Sequence, residues 1–192
     1  MLKKFVLTIR ILLVAVVVVY FAVMLGGCGV SNGTSAASEP KTGYNVVDSE
    51  GTTVHLQKKP MRILSQSLTF DTMILGIVPP ERLIACNILG GDQDSSFIVE
   101  ETKGIATKLK SFTLIPTDLV LKLKPDLIIL PNTAKPEMIA TFRDLGYPVL
   151  VCKSPTTIED VKEDITLIAR ALQEEAAGAE VIAEMDRQLQ EI

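Results

Sequence analysis

Residues 126–152 read DLIILPNTAKPEMIATFRDLGYPVLVC, and this stretch decides the fold that the sequence predicts. The run at 126–130 is short and almost wholly apolar, which is typical of a strand buried on both faces of a sheet. Residues 136–145 are predicted to form a helix with one apolar side, ended by Gly146, and residues 148–152 form the next buried strand. A strand, a helix and a strand joined by short links predict a right-handed crossover between two parallel strands.

The segments on either side of this unit extend the alternation of strands and helices. They are a hairpin at 46–48 and 53–56, strands at 62–65 and 82–86, and helices capped by Ser67 (ended by Gly76 and Pro79-Pro80), started by Ser95 or Ser96, and capped by Thr117. From Thr157 the pattern becomes helical, with Asp160 placed to complete a capping box, and a last apolar stripe ends at Ile192. The sequence therefore predicts an α/β fold, in which a layered α/β/α lobe with a mainly parallel sheet is followed by a long helix.

The first 27 residues are predicted to be a lipoprotein signal peptide. Lys3, Lys4 and Arg10 precede an apolar run at 11–25, and this run is short for a membrane-spanning helix. The run ends in LGGC at 25–28, which resembles the cleavage box of bacterial lipoproteins. Cys28 is therefore expected to carry the lipid, including palmitate, and residues 28–43 to form a flexible tether. The alternative is an uncleaved anchor helix with an incidental cysteine.

The charge and the residue counts exclude several classes of function. The net charge is −4 and the first 27 residues carry +3, so the rest carries −7 and has no basic patch for nucleic acid. The single histidine, His55, excludes a multi-histidine metal site within the chain and leaves serine hydrolysis without a well-placed base. With no phosphate-binding loop either, the protein is not expected to be an enzyme or to hold a cofactor besides the lipid. Cys86 and Cys152 are expected to be buried, unpaired thiols.

Polar loops follow the predicted strands, and such loops carry the ligand contacts in open parallel sheets. The candidate binding residues are Ser67, Leu68, Thr69, Asn87, Asp92, Asp94, Asn132, Thr133, Lys153 and Ser154. These loops offer hydroxyls, amides and few charges, a composition that suits a large, partly polar ligand. A bare cation would need several converging carboxylates or imidazoles, and only Asp92 and Asp94 come close together, so no metal site is predicted. An ordinary turn residue is the alternative interpretation at each position.

Several motifs, in their order and spacing, resemble those of one family of transport proteins. They are PMRILS at 60–65, VPPERL at 78–83, KPDLII at 124–129, GYPV at 146–149 and SPTTIEDV at 154–161. With them the chain resembles the ABC-transporter substrate-binding proteins for cobalamin, haem and ferric siderophores. The resemblance implies two α/β lobes joined by a long helix, with the ligand in the cleft between them. Residues 44–172 would be the N-terminal lobe and residues 173–192 the start of the inter-lobe helix, with the second lobe absent and Gln173 where a glycine is usual.

The resemblance also implies a location, partners and a function. The lipid would hold the protein at the extracytoplasmic face of the cell membrane. There it would present a corrinoid or a ferric chelate to an ABC permease and its ATPase, with no nucleic-acid partner. Two alternatives stay open. One is a lipid-anchored interaction module or receptor fragment that binds no small molecule, and the other is a metal-ion receptor of the same fold, which the single histidine disfavours.

Overall fold

The computed structural model describes residues 43–111 and 114–191 of the chain. The predicted signal peptide, Cys28 and the tether up to residue 42 lie outside the described residues, as does Ile192 at the end of the last apolar stripe. Within the described ranges, no helix is long and apolar enough to cross a membrane.

Strands and helices alternate along the chain from residue 63 onward. The strands are β1 (Tyr44–Val47), β2 (Thr53–Leu56), β3 (Ile63–Ser65), β4 (Leu83–Asn87), β5 (Thr107–Leu109), β6 (Leu127–Pro131) and β7 (Val149–Cys152). The helices are α1 (Leu68–Ile77), α2 (Val99–Thr102), α3 (Thr117–Leu123), α4 (Pro136–Asp144), α5 (Ile158–Leu172) and α6 (Glu175–Leu189). Short 3-10 turns at Pro80–Arg82 and Ile88–Gly91 flank β4.

Five strands form one parallel sheet in the order β5-β4-β3-β6-β7, and β1 and β2 pair separately as an antiparallel hairpin. The parallel pair predicted from residues 126–152 is confirmed, because Ile129 of β6 lies opposite Leu150 of β7. Strand β5 was not predicted from the sequence. It is only three residues long and two of them are polar, so pairing with β4, with Ala85 opposite Thr107, defines it rather than any apolar run.

The inner strands read as apolar runs because both faces of the sheet are covered. On one face, Ile129 belongs to the same core as Phe70 of α1 and Leu172 of α5, and part of α6 packs against it. On the other face, Ile128 belongs to a core with Phe142 of α4 and with residues of α3. The sheet is therefore a layer between two layers of helices, which confirms the layered α/β/α lobe.

The starts of the helices agree only in part with the predicted caps. The capping box of α5 is confirmed, since the Thr157 hydroxyl accepts from the Asp160 amide while the Asp160 carboxylate accepts from the Thr157 amide. The cap predicted at Ser67 is wrong in its chemistry: Ser67 precedes α1, but its carbonyl rather than its hydroxyl accepts from the helix. Thr117 is the first residue of α3 and Pro116 holds the cap position, so that prediction is also wrong.

Of three further expectations about the helices, one is confirmed and two need correction. Helix α1 ends at Ile77, between Gly76 and Pro79, which agrees with the predicted end at Gly76 and Pro79-Pro80, because the residue before a proline disfavours the helical conformation. In α5, Ile158 begins the predicted apolar stripe yet stays 48% exposed, since it lies in the first turn, beyond the edge of the core. Helix α2 begins at Val99, later than predicted, and the Ser96 hydroxyl instead accepts from the Ile98 amide just ahead of it.

Arg82, in the VPPERL motif, is a buried structural arginine. Its guanidinium donates to the carbonyl of Pro60 (Nε, 3.0 Å) and to that of Leu172 at the end of α5 (3.2 Å), and it forms an ion pair with Glu174. A buried guanidinium needs several acceptors, and here they come from two segments distant in sequence, at residue 60 and at residues 172–174. The motif thus fastens the end of α5 to the entry of β3.

Asp126 explains the spacing of two other motifs. Its carboxylate accepts the backbone amides of Met61 (2.9 Å) and Arg62 (2.8 Å), so KPDLII and PMRILS are bonded side by side where β6 and β3 begin. The residues that carry the family resemblance in these motifs therefore hold the scaffold together at the amino edge of the sheet.

The hairpin closes one edge of the sheet. The amide and the hydroxyl of Ser49 both donate to the carbonyl of Val151 in β7 (3.0 and 2.8 Å), and Arg143 donates to the carbonyl of Val149 while pairing with Asp48 (2.8 Å). Without these hydrogen bonds, the outward carbonyl groups of the edge strand β7 would be free to pair with a strand of another chain. The hairpin is thus part of the lobe.

Candidate ligand-binding face

The strand order places a topological switch point between β3 and β6. From β3 the chain moves to β4 and β5 on one side and then returns to β6 and β7 on the other. The connections that leave β3 and β6 therefore run apart at the carboxyl edge and leave a crevice between them, which is where open α/β sheets bind ligands. We call the loops at this edge (66–69, 87–98, 131–135 and 153–157) the candidate ligand-binding face.

The predicted residues around the switch point lie on both sides of it. After β3, Ser67 and Leu68 are partly exposed and Thr69 is exposed. After β6, Asn132 and Thr133 are both exposed. Hydroxyl and amide groups therefore face solvent on each side of the crevice, which suits hydrogen bonding to a ligand placed across it.

Asn132 also joins its loop to the next one. Its side-chain oxygen accepts from the backbone amide of Ser154 at 3.0 Å, so the loops after β6 and β7 are bonded together. Lys153 beside it is exposed, but it is paired with Asp160 at 2.7 Å. The hydrogen bonds from Lys153 and from Thr156 hold the pKa of Asp160 well below its usual range, so this carboxylate stays ionised and offsets the lysine. This side of the face is therefore polar, with the charge of Lys153 compensated and Lys135 of the loop after β6 exposed beside it.

The loop after β4 carries the two predicted acids and an aromatic side chain. Asp92 and Asp94 are exposed, and Asp92 is engaged in a turn, where its Oδ1 accepts from the amides of Asp94 (2.9 Å) and Ser95 (3.1 Å). Over residues 43–111 and 114–191, no three potential metal ligands come together. Phe97 of the same loop is fully exposed, and the sequence analysis missed it, although an aromatic residue within a polar loop is a usable signal.

Asn87 lies beneath the face instead of on it. Its side chain is fully buried, with Nδ2 donating to the carbonyl of Gln66 (2.8 Å) and Oδ1 accepting from the amide of Leu89 (2.9 Å). Gln66 is buried as well, and its Nε2 donates to the carbonyl of Ser111 at 3.3 Å. Asn87 is therefore placed to hold the loops that follow β3 and β4, and through Gln66 the loop after β5.

The buried carboxylate of Asp71 was not predicted from the sequence. The Oδ2 atom of this α1 residue accepts from the Asn87 amide at 2.7 Å, and burial raises the pKa of its carboxyl group to about 7. An acid between apolar core positions of a helix, here Phe70 and Met73, is the signal that was available.

The remaining reactive side chains lie away from the face or are buried. His55 is exposed on β2, as expected of a surface histidine, and its Nδ1 lies 2.8 Å from Oδ1 of Asn45. The expectation for Cys86 and Cys152 is confirmed, because both are buried, free thiols. A cavity of about 450 Å³ that includes His55 and Asp126 opens at the amino edge of the sheet, on the opposite side from the face, and the Asp126 carboxylate in it is already engaged by two amides.

These features together define an α/β lobe whose polar loops gather at the ligand-binding edge of a parallel sheet. The family model for periplasmic binding proteins matches residues 88–192, and the chain belongs to this family. The members that the model describes are binding proteins. A search of curated protein sequences gives no significant match.

Solved structures share the fold at low sequence identity. MolA of Haemophilus influenzae, bound to molybdate, is 18% identical and has a TM-score of 0.64; the match covers 76% of this chain and 52% of MolA. The siderophore-binding protein BauB, bound to a complex of acinetobactin and ferric iron, is 16% identical (TM-score 0.59, covering 78% and 52%). The haem-binding protein RhuT from Roseiflexus sp., in its apo form, is 21% identical (TM-score 0.58, covering 67% and 47%). The chain therefore spans about half the length of these proteins.

Proposed function

We propose that this chain is the lipid-anchored, extracytoplasmic substrate-binding component of an ABC importer, and that its ligand is a cobalamin, haem or a ferric siderophore. The observation that carries the proposal is the pair of loops after β3 and β6, which leave the sheet on either side of the switch point and present hydroxyl and amide groups, with Lys135 as their one exposed charge. The expected partners are an ABC permease and its ATPase, to which the protein presents its ligand.

The chemistry of the face favours a large chelate over a bare ion. Asn132 and Thr133 offer an amide and a hydroxyl, Phe97 offers an apolar ring, and the charge of Lys153 is offset by Asp160. A divalent cation would need converging carboxylates or imidazoles, and the described part of the chain brings no such group together. The siderophore bound by BauB and the haem-binding role of RhuT support a chelate, while the molybdate bound by MolA makes an oxyanion the competitor to test.

Lipid anchoring rests on the LGGC box at 25–28. With Cys28 acylated, residues 28–43 would let the lobe reach from the membrane surface to a permease.

Calorimetric titration of the full-length chain in detergent tests the proposal. The probes are cyanocobalamin, haemin and a ferric siderophore, alongside zinc, manganese and molybdate salts. We expect one of the chelates to bind, and we expect Thr133→Arg, which adds bulk and charge beside the crevice, to weaken that binding by about tenfold, or about 1.4 kcal/mol. Thr53→Arg, at an exposed threonine on the hairpin, is the matched control and should bind normally. Tight binding of a bare ion or of molybdate with no response to any chelate would overturn the assignment.

A further inference from the structure

Two buried aspartates lie beneath loops of the candidate ligand-binding face, and the function proposed above uses neither. Asp71 in α1 is 0% exposed. Its Oδ2 accepts from the Asn87 amide, where β4 ends, but its Oδ1 is buried without a hydrogen-bond partner among the described residues. A buried, unpartnered carboxylate oxygen costs free energy unless a proton or a donor satisfies it.

Asp164 in α5 repeats this arrangement on the other side of the switch point. It is 3% exposed, and the backbone of Lys153, just past β7, opposes the rise in the pKa of its carboxyl group. Its Oδ2 is likewise buried with no partner in the part of the chain that the structure describes. The two aspartates thus lie under separate loops. Asp71 is bonded to the amide of Asn87 at the end of β4, and Asp164 lies next to the backbone of Lys153, just past β7.

Each aspartate reaches the face through the loop above it. Through Asn87, Asp71 is connected to Gln66 and Leu89, and hence to the loops after β3 and β4. Through Lys153, Asp164 is connected to the loop that Asn132 contacts at Ser154. The position of the hydrogen-bonding groups on both sides of the switch point therefore depends on these two contacts.

We propose that Asp71 and Asp164 are positioning residues for the candidate ligand-binding face, and that a proton on each carboxyl group fastens the loop above it. The consequence for ligand binding rests on the proposed function, whereas the effect on the loops does not. A proton can occupy the unpartnered oxygen of each carboxyl group while the other oxygen stays against the loop backbone, which for Asp71 is its bond to the Asn87 amide. An ionised carboxylate in the same place needs water, which enters only when the loop opens.

The surroundings favour the protonated forms. Burial raises the pKa of Asp71 to about 7, although hydrogen bonding from the Asn87 amide and the Ser65 hydroxyl and the Lys108 charge from β5 oppose the shift; the Cys86 thiol of β4 is close by. Burial, assisted by the nearby charges of Asp160 and Glu163, raises the pKa of Asp164 to about 6, and Lys153 opposes that shift. Asp164 and Asp48 of the hairpin turn both face the Cys152 thiol.

The sign of the pH dependence follows from these directions. Each carboxyl group has a higher pKa when the loop covers it than when it is in water. The covered form therefore binds one more proton than the open form between about pH 4 and the raised pKa. The stabilisation is complete at the acidic end of that window and is lost as the pH rises through about 7 for Asp71 and about 6 for Asp164. Within each pH window, the equilibrium constant for opening of the loop increases by at most about tenfold per pH unit. Above the window, this constant no longer changes with pH.

Amide hydrogen exchange of the full-length chain in detergent, from pH 5 to 8.5 and corrected for intrinsic exchange rates, tests the proposal. The reporter amides are those of Asn87 and Lys153. We expect opening at Asn87 to increase up to about pH 7 and opening at Lys153 up to about pH 6. Asp71→Asn keeps an acceptor for the Asn87 amide without a charge, so it should flatten the profile at Asn87 and leave that at Lys153 unchanged. Asp164→Asn should do the reverse.

Each variant is therefore the matched control of the other. Profiles that are flat in the wild type, or variants that shift both reporters equally through a general change of stability, would overturn the proposal. If one variant fails to fold, the wild-type profile and the other variant still decide. A parallel titration with haemin and a ferric siderophore should show affinity falling over the same pH range. Binding that does not change with pH, in a chain whose loops do, would overturn the link to the face, and a lack of all binding would count against the proposed function alone.

Discussion

Replacing Gly178 by alanine tests how closely α5 and α6 pack. A Cβ atom built on Gly178 would lie 2.5 Å from the Cβ of Ala169 in α5, and 3.7 Å from the carbonyl oxygen of Ile165. Carbon atoms in contact prefer a separation of about 3.5–4.0 Å. Both Cβ atoms are fixed directly to helical backbone, so the overlap is relieved only if the two helices move apart by about 1 Å.

The expected loss of stability is the difference between two effects. Overpacking of this kind costs typically 1–3 kcal/mol, and we place this contact in the upper part of that range because neither atom belongs to a flexible side chain. Alanine gains about 1 kcal/mol over glycine within a helix. We therefore expect Gly178→Ala to lower the free energy of unfolding by about 1–2 kcal/mol.

Urea denaturation followed by circular dichroism measures this difference. Gly104→Ala is the control, because no atom lies within 4 Å of the added methyl group and the backbone there is not left-handed. The double variant Ala169→Gly/Gly178→Ala removes the opposing methyl group and should show a favourable coupling energy of about 1 kcal/mol or more relative to the two single variants. If Gly178→Ala stabilised the protein, the higher helix propensity of alanine would outweigh the steric overlap with Ala169. That result would refute the reasoning from the close approach of the two helices.

Two other outcomes follow from the sequence and the fold. Cys28→Ala should leave an unprocessed precursor and abolish palmitate labelling, and unchanged labelling would contradict the lipoprotein assignment. Gln173 ends α5 with φ +53° and is exposed, so Gln173→Gly should raise the free energy of unfolding by about 0.5–1 kcal/mol, because glycine adopts this conformation without strain. Gln173→Ala should bring no such gain in the same denaturation assay, and a gain as large as that of glycine would show that the backbone there is unstrained.

Much of the fold was predictable because its signals are local. The buried strands β6 and β7 appear as short apolar runs, and the helix between them shows its apolar side and its terminating glycine. The capping box at Thr157 and Asp160 was predictable for the same reason, since both partners lie within one helical turn. Strand β5 was missed because three residues with two polar side chains carry no periodic signal, and only the neighbouring strand provides its hydrogen bonds.

The sequence by itself determined the alternation of strands and helices, and from it the loops at which a parallel sheet presents ligand-binding groups. The tertiary structure alone decided which of those residues face the solvent. Asn132 and Thr133 lie on the surface, whereas Asn87 is buried and bonded to segments both before and after it. Asp71 and Asp164 are buried where other segments of the chain close over them, and burial raises the pKa of both carboxyl groups. A local pattern such as the apolar neighbours of Asp71 indicates that a position faces the core, but the partner of a buried group depends on what the folded chain brings alongside it.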